Sequence, residues 1–161
     1  MSRVTEIQRK LDAVVKSYSH AEERPLFIMA PRRHGRTTAL ARIYANAVKC
    51  GLKNIKFVCL NRHQREEFFD MVAKEGVDVA ELRNIDVALK DAKLILVDDV
   101  LLQSTKLVEA IVDTVNKKNL PCVMTSVDGF HPTAHLQPGE LTNLNCVQRL
   151  SLRPVDCTEE D

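Results

Sequence analysis

The segment Ala30-Pro31-Arg32-Arg33-His34-Gly35-Arg36-Thr37-Thr38 gathers three arginines around one glycine and ends in two hydroxyls. Backbone N–H groups at a turn that opens into a helix hold an anion, and a glycine there lets the backbone come close. The stretch fits the phosphate-binding pattern Gly-x-x-x-x-Gly-Lys-Ser/Thr, with Ala30 for the first glycine and Arg36 for the lysine. His34, Gly35, Arg36, Thr37 and Thr38 are therefore candidate ATP-phosphate ligands, and Thr37 offers its hydroxyl to a Mg²⁺ ion. A second cluster, Asp98-Asp99, closes the apolar run Leu94 to Val97. An acid delivered there reaches the nucleotide's Mg²⁺ directly or through water, and the next carboxylate, Asp99, stands where a general base or a water-orienting group belongs. A third, Thr125-Ser126, ends another apolar run and is placed to sense a terminal phosphate or hold the attacking water. Each has a plainer reading: a loop without its lysine, an Asp pair capping a helix, a turn start. Their chain order, each at the end of an apolar run, makes the three together a candidate triphosphate site.

The elements that must position these groups follow from periodicity. Val4 to Tyr18 carries Ile7, Leu11, Val14 and Val15 on a helical period, and Pro25 ends any continuation. Leu26 to Ala30 is a five-residue apolar run, the pattern of a strand buried on both faces. Thr37 to Cys50 reads as a helix stopped by Gly51. Ile55 to Leu60 is strand-like, and Gln64 to Lys74 is helix-like and closed by Gly76. Val77 to Asp91 reads as a short strand edge and a helical turn through Ile85 to Leu89. Leu94 to Val97 is a strand, Leu107 to Val115 a helix, Pro121 to Ser126 a strand, and Cys146 to Leu152 the last strand candidate. Buried strands alternating with helices predict a three-layer α/β domain over residues 1–155 with a mostly parallel sheet, followed by an acidic, frayed tail over 156–161. In such a sheet ligands bind beyond the carboxyl ends of the strands, where all three motifs fall.

Composition narrows the class. The chain has 161 residues, 45% hydrophobic and 28% charged, the make-up of a folded globular domain rather than a disordered or fibrous chain. No apolar run approaches the ~20 residues of a membrane crossing, and the opening residues lack the apolar stretch of a secretion signal. Five cysteines, Cys50, Cys59, Cys122, Cys146 and Cys157, show no Cys-x-x-Cys spacing and read as small buried hydrophobes. A reducing intracellular compartment, cytoplasm or nucleus of a host, is expected. The formal net charge of +1 hides a division: Arg24 to Arg65 holds ten Lys/Arg and no Asp or Glu, leaving 13 basic against 22 acidic residues elsewhere. A field so polarised, with arginines crowded in one turn, favours an anionic partner over a merely solvated face.

The spelling Pro31-Arg32-Arg33-His34-Gly35-Arg36-Thr37-Thr38 resembles the Walker A loop of the large terminase subunits of tailed phages and herpesviruses, P-loop NTPases that drive DNA into capsids. Asn61 to Gln64 resembles that family's segment after the second strand, Leu94 to Asp99 its Walker B, and Thr125 to Gly129 its coupling motif. The family carries Lys where this chain has Arg36 and Glu where it has Asp99. The resemblance implies a P-loop NTPase fold and a minimal ATP- and Mg²⁺-dependent motor component acting on nucleic acid, DNA first, with further copies of itself or viral packaging proteins as partners. Arg32 and Arg33 would supply transition-state charge in cis, and Arg62, Arg65, Arg83 or Arg149 in trans. Arg36 and Asp99 motivate the alternative of a degenerate P-loop domain that no longer hydrolyses and serves as a structural or nucleic-acid-binding protein. A third reading is contact with the phosphate backbone alone, through the basic segment.

Overall fold

In the computed structural model, residues 3–20, 24–31, 35–127, 134, 135, 137, 150 and 152–157 are described. The periodic segments become α1 (Arg3–Ser17), α2 (Arg36–Lys49), α3 (Arg62–Lys74) and α4 (Thr105–Lys118). The apolar runs become β1 (Leu26–Met29), β2 (Ile55–Val58), β3 (Leu94–Val97) and β4 (Cys122–Ser126), with β5 at Arg153–Asp156. Local chemistry sets the helix ends. The Asn61 side chain accepts from the Gln64 N–H at 2.9 Å to start α3, and Ser104 accepts from Leu107 at 3.2 Å to start α4. Gly51, at φ 87°, closes α2 in the left-handed conformation that only glycine adopts without strain.

The five strands form one sheet in the order β2-β3-β4-β1-β5, with every pairing parallel. Alternation along the strands sorts the core into two layers. Leu26, Ile28, Ile55, Phe57, Leu94, Leu96 and Val123 face α1, α2 and α3. Phe27, Val58, Ile95, Val97, Cys122 and Met124 face α4. Both faces are covered, as the continuous apolar runs require, and the expected three-layer α/β architecture is met. The order also puts β4 between β1 and β3, so the carboxyl ends of these three strands, and the three motifs, meet at one edge.

Three stretches differ from the sequence reading. Between Val77 and Asp91 no strand forms; single 3₁₀ turns lie at Leu82–Asn84 and Leu89–Asp91. Polar side chains satisfy the backbone there: Asp78 accepts from the Ala80 N–H at 3.0 Å, and Asn84 donates to the Ala80 carbonyl at 3.3 Å. Most of the expected last strand, Cys146 to Leu152, falls outside the described residues, and the strand that is described lies farther along the chain. Residues 146–149 and 151 lie outside the described residues, Leu150 and Leu152 precede the strand, and β5 takes Arg153–Asp156. Arg153 and Cys157 donate to the carbonyls of Pro25 and Met29 at 2.8 and 2.7 Å, so Arg153, Val155 and Cys157 face β1. Pro154, without an N–H, turns to the open edge, the one side of a sheet that tolerates it. Asp156 is thus part of the sheet, and Cys157 beyond it is fully buried. Finally, Cys122 and Cys157 are buried as expected, but Cys59 is only half-buried and Cys50, at the end of α2, is exposed; Cys146 lies outside the described residues.

Candidate functional site

The turn after β1 is anchored to the sheet by Ala30, which is fully buried and donates to the Ser126 carbonyl at 3.1 Å, extending the β1–β4 ladder. Arg32, Arg33 and His34 lie outside the described residues. Gly35, at φ 95° and ψ 22°, caps α2 with no side-chain hydrogen bond. A Cβ at Gly35 would meet Leu11 only at 3.8 Å, an ordinary contact, so the glycine is required by the left-handed backbone rather than by space. Its carbonyl accepts from the Ala39 N–H at 2.9 Å, the first helical bond. With no cap from Gly35 itself, the first-turn N–H groups of α2 form the positive end of a helix dipole beside the strand tips.

Asp98 is the centre of the polar contacts. It is 3% exposed, at the tip of β3, and its N–H donates to the Val58 carbonyl at 2.9 Å. Thr37 donates its hydroxyl to Asp98 Oδ2 at 2.7 Å, and Thr125 donates to Oδ1 at 2.7 Å. The Thr125 oxygen accepts in turn from the Asp99 N–H at 3.2 Å, so this fully buried hydroxyl is engaged on both sides. Gln103, 5% exposed, donates to the Asp98 carbonyl at 3.3 Å. Burial, first, and the neighbouring Asp99 charge, second, push the Asp98 carboxyl above the usual carboxylate range; the two threonine hydrogen bonds and Arg36 partly offset this.

Beside this network, Arg36 Nη1 meets Asp99 Oδ1 at 2.9 Å, with side chains only 11% and 17% exposed. Asp99 sits at φ 52° and ψ 54°, a left-handed geometry that Asp tolerates better than most residues. The residue expected on phosphate and the residue expected on water thus hold each other. Ser126, 1% exposed, donates to the Val127 carbonyl at 2.9 Å. The Thr38 hydroxyl lies 3.7 Å from the Met71 sulfur and so faces α3 instead of Asp98. The structure therefore brings Gly35, Arg36, Thr37, Asp98, Asp99 and Thr125 together. Of the arginines considered for a neighbouring site, Arg62 pairs with Glu66, Arg83 pairs with Asp70, and Arg65 donates to the Arg83 and Ile85 carbonyls. Arg149 lies outside the described residues. Gln103 had no sequence signal, because its partner is a backbone carbonyl.

Among the described residues, no group of three His, Cys, Asp or Glu could hold a metal ion by itself, and no helix is long and apolar enough to cross a membrane. A hydroxyl and a carboxylate side by side, Thr37 and Asp98, make a hard oxygen donor set that suits Mg²⁺ completed by phosphate and water.

No family model matches the sequence, and no curated protein matches it. Among solved structures, a candidate primosome component from Streptococcus pyogenes serotype M3 is similar, with a TM-score of 0.50 and 15% identity over 97% of this chain and 80% of that one. The DnaC helicase loader gives a TM-score of 0.47 at 14% identity, over 91% and 86% of the two chains. AMPPCP-bound DnaA from Aquifex aeolicus gives 0.46 at 17% identity, over 92% of this chain and 44% of that one. At such identities what carries over is the fold: a three-layer α/β domain around a five-stranded parallel sheet. None of these three is described as a terminase.

Proposed function

We propose that this chain binds ATP with Mg²⁺ at the Gly35 turn and works on nucleic acid. The observation that carries the reading is the Thr37–Asp98 contact of 2.7 Å, which sets a hydroxyl and a buried carboxylate beside a helix start that Gly35 does not cap. In this reading Gly35, Arg36, Thr37 and Thr38 hold the phosphates, with His34 from the preceding turn, and Thr37 and Asp98 carry the ion. A bound Mg²⁺ supplies charge neutralisation on the phosphate oxygens. Thr125 and Ser126 respond to the terminal phosphate, and Thr125 also orients the Asp98 carboxylate. Asp99 aligns water, and Arg32 and Arg33 lend positive charge to the transferring group. The acid-free segment Arg24 to Arg65 supports a nucleic-acid partner, whose phosphates it attracts. A terminase-like role in viral packaging rests on the sequence resemblance, of which the Pro31 to Thr38 spelling is the specific part.

Titration calorimetry with ATP and Mg²⁺ tests the site. Binding is expected with the metal, with a loss of about 10- to 100-fold in Thr37→Ala, the worth of one charge-assisted contact. An absence of heat with ATP and Mg²⁺ present overturns the proposal. The Arg36–Asp99 pair favours a second reading, a nucleotide-binding domain without hydrolysis, because both groups needed for turnover are engaged with each other. Phosphate release by Arg36→Lys separates the two. A large gain marks a loop that has drifted from catalysis, whereas a loss marks an arginine tuned for it.

A further inference from the structure

Beyond β2, on the face of the sheet that carries α2 and α3, a cavity of about 370 Å³ opens at the flank of the domain. It lies beside the 51–54 loop, toward the amino ends of the strands, and shares no residue with the Asp98 network. Val48, Leu52, Ile55, Phe69, Leu82 and Ile85 give it apolar walls. Its size falls at the lower end of pockets that take small organic ligands.

Two polar groups on its lining can still donate to a ligand. Tyr44 is 3% exposed as a residue and lines the cavity, where its hydroxyl makes no hydrogen bond to a described side chain or carbonyl. Burial pushes this hydroxyl up to about 12, against a lesser opposing effect of Arg65, so it stays a protonated donor. Arg65 lies over the Phe69 ring at 4.9 Å and donates to the Ile85 and Arg83 carbonyls at 2.7 and 3.4 Å. It makes no close ion pair with a described carboxylate, and its charge acts on Asp86 only from a distance. The lining as a whole is positive by one, with Lys53, Lys56 and Arg65 against Glu81 and Asp86, and Asp86 is already paired with Lys56 at 2.8 Å.

We propose that this cavity is a binding site for a small organic anion with an apolar body, its charge met by Arg65 and a second acceptor by the Tyr44 hydroxyl. The aliphatic and aromatic walls take the body of the ligand. The turn carrying Leu82 and Ile85, tethered through Arg65, forms the outer wall.

Two dyes of like shape test this on the full chain: 8-anilinonaphthalene-1-sulfonate, and N-phenyl-1-naphthylamine, which lacks the sulfonate. Fluorescence titration is run beside thermal unfolding, which must stay cooperative in every variant scored. The wild type is expected to bind the sulfonate dye saturably with one site, more tightly than the neutral one. Val48→Trp, which fills the cavity, should weaken both dyes about tenfold or more. Tyr44→Phe, which keeps the shape, should weaken the sulfonate dye about three- to tenfold. Arg65→Gln should weaken only the sulfonate dye, by about tenfold. Absence of saturable binding, binding that Val48→Trp leaves undiminished, or equal loss of both dyes in Arg65→Gln overturns the proposal. None of these outcomes depends on whether ATP binds at Gly35.

Discussion

The edge where β1, β4 and β3 end and the flank beyond β2 bury hydroxyls in opposite ways. At the strand ends, Thr37 and Thr125 both donate to one carboxylate, and the Thr125 oxygen is used a second time by the Asp99 N–H. At the flank, the Tyr44 hydroxyl stands at an open cavity and makes no hydrogen bond to a described side chain or carbonyl. The rigidity of the flank comes from rings instead. Phe57 and Phe68 stack at 3.6 Å between centroids, and Tyr44 meets Phe68 and Phe69 edge-on at 5.4 and 5.5 Å. One region is held by directional bonds among four residues, from α2, from β4 and from the tip of β3, and the other by area and shape. Polar networks fix where a ligand's charged atoms go, whereas packed rings leave a hollow whose occupant is chosen by fit.

The largest effect should come from breaking the aromatic side of this contrast. Phe68 is fully buried and touches Tyr44, Phe57 and Phe69, so Phe68→Ala leaves a void among rings that are themselves anchored on α2, α3 and β2. A loss of about 3–5 kcal/mol in urea unfolding is expected. The folded fraction should keep its affinity for ATP and Mg²⁺, since Phe68 takes no part in the hydrogen bonds of Asp98. A cost below about 1 kcal/mol would mean that the flank relaxes into the void and is not held by its rings.

The next effect belongs to the polar side. Thr125→Val keeps the shape but removes the donor to Asp98 and the acceptor for the Asp99 N–H, so two buried groups lose a partner at once. A cost of about 1–3 kcal/mol is expected in the same unfolding assay. A weaker response of ATP binding to Mg²⁺ should accompany it, because the Asp98 carboxylate is no longer fixed. Thr125→Ser, which restores the hydroxyl, should recover most of both. Recovery of stability without recovery of the Mg²⁺ response would show that Thr125 only packs.

These contrasts were unevenly legible in the sequence. Strands β1 to β4 were visible as apolar runs because both faces of each are buried. Strand β5 was hidden because an edge position admits Arg153, Pro154 and Asp156, which carry no apolar signal. Thr37, Asp98 and Thr125 could be placed near one another, since the tips of parallel strands share an edge. The direction of each hydroxyl could not: Thr125 read as a group facing phosphate, while in the structure it is engaged by Asp98 and Asp99. The Arg36–Asp99 pair was equally hidden, as each residue was read alone toward a ligand and their meeting depends on the order of strands. Nothing in the spacing of Tyr44, Val48, Arg65 and Ile85 announced a cavity, because a hollow is a property of how elements fail to fill space.

The smallest effect has the opposite sign. Burial, and then the Asp99 charge, hold the Asp98 carboxyl above the ~3.9 of a free aspartate. Between the unfolded and the folded value, the folded chain keeps a proton that the unfolded chain gives up. The stability contributed by Asp98 is complete below the unfolded value and is lost as pH rises through the folded one. Asp98→Asn keeps an acceptor for Thr125, and its amide can donate to the Thr37 oxygen once that hydroxyl turns, so the network survives without the buried charge. Thermal unfolding of both proteins in EDTA, from about pH 3 to about pH 8, should show the variant gaining on the wild type as pH rises. The same variant should bind ATP with no response to Mg²⁺, separating what Asp98 costs the fold from what it does for the ion. A difference that stays flat with pH would mean that Asp98 titrates as a solvated carboxylate, and that the strand ends are less dry than their hydrogen bonds imply.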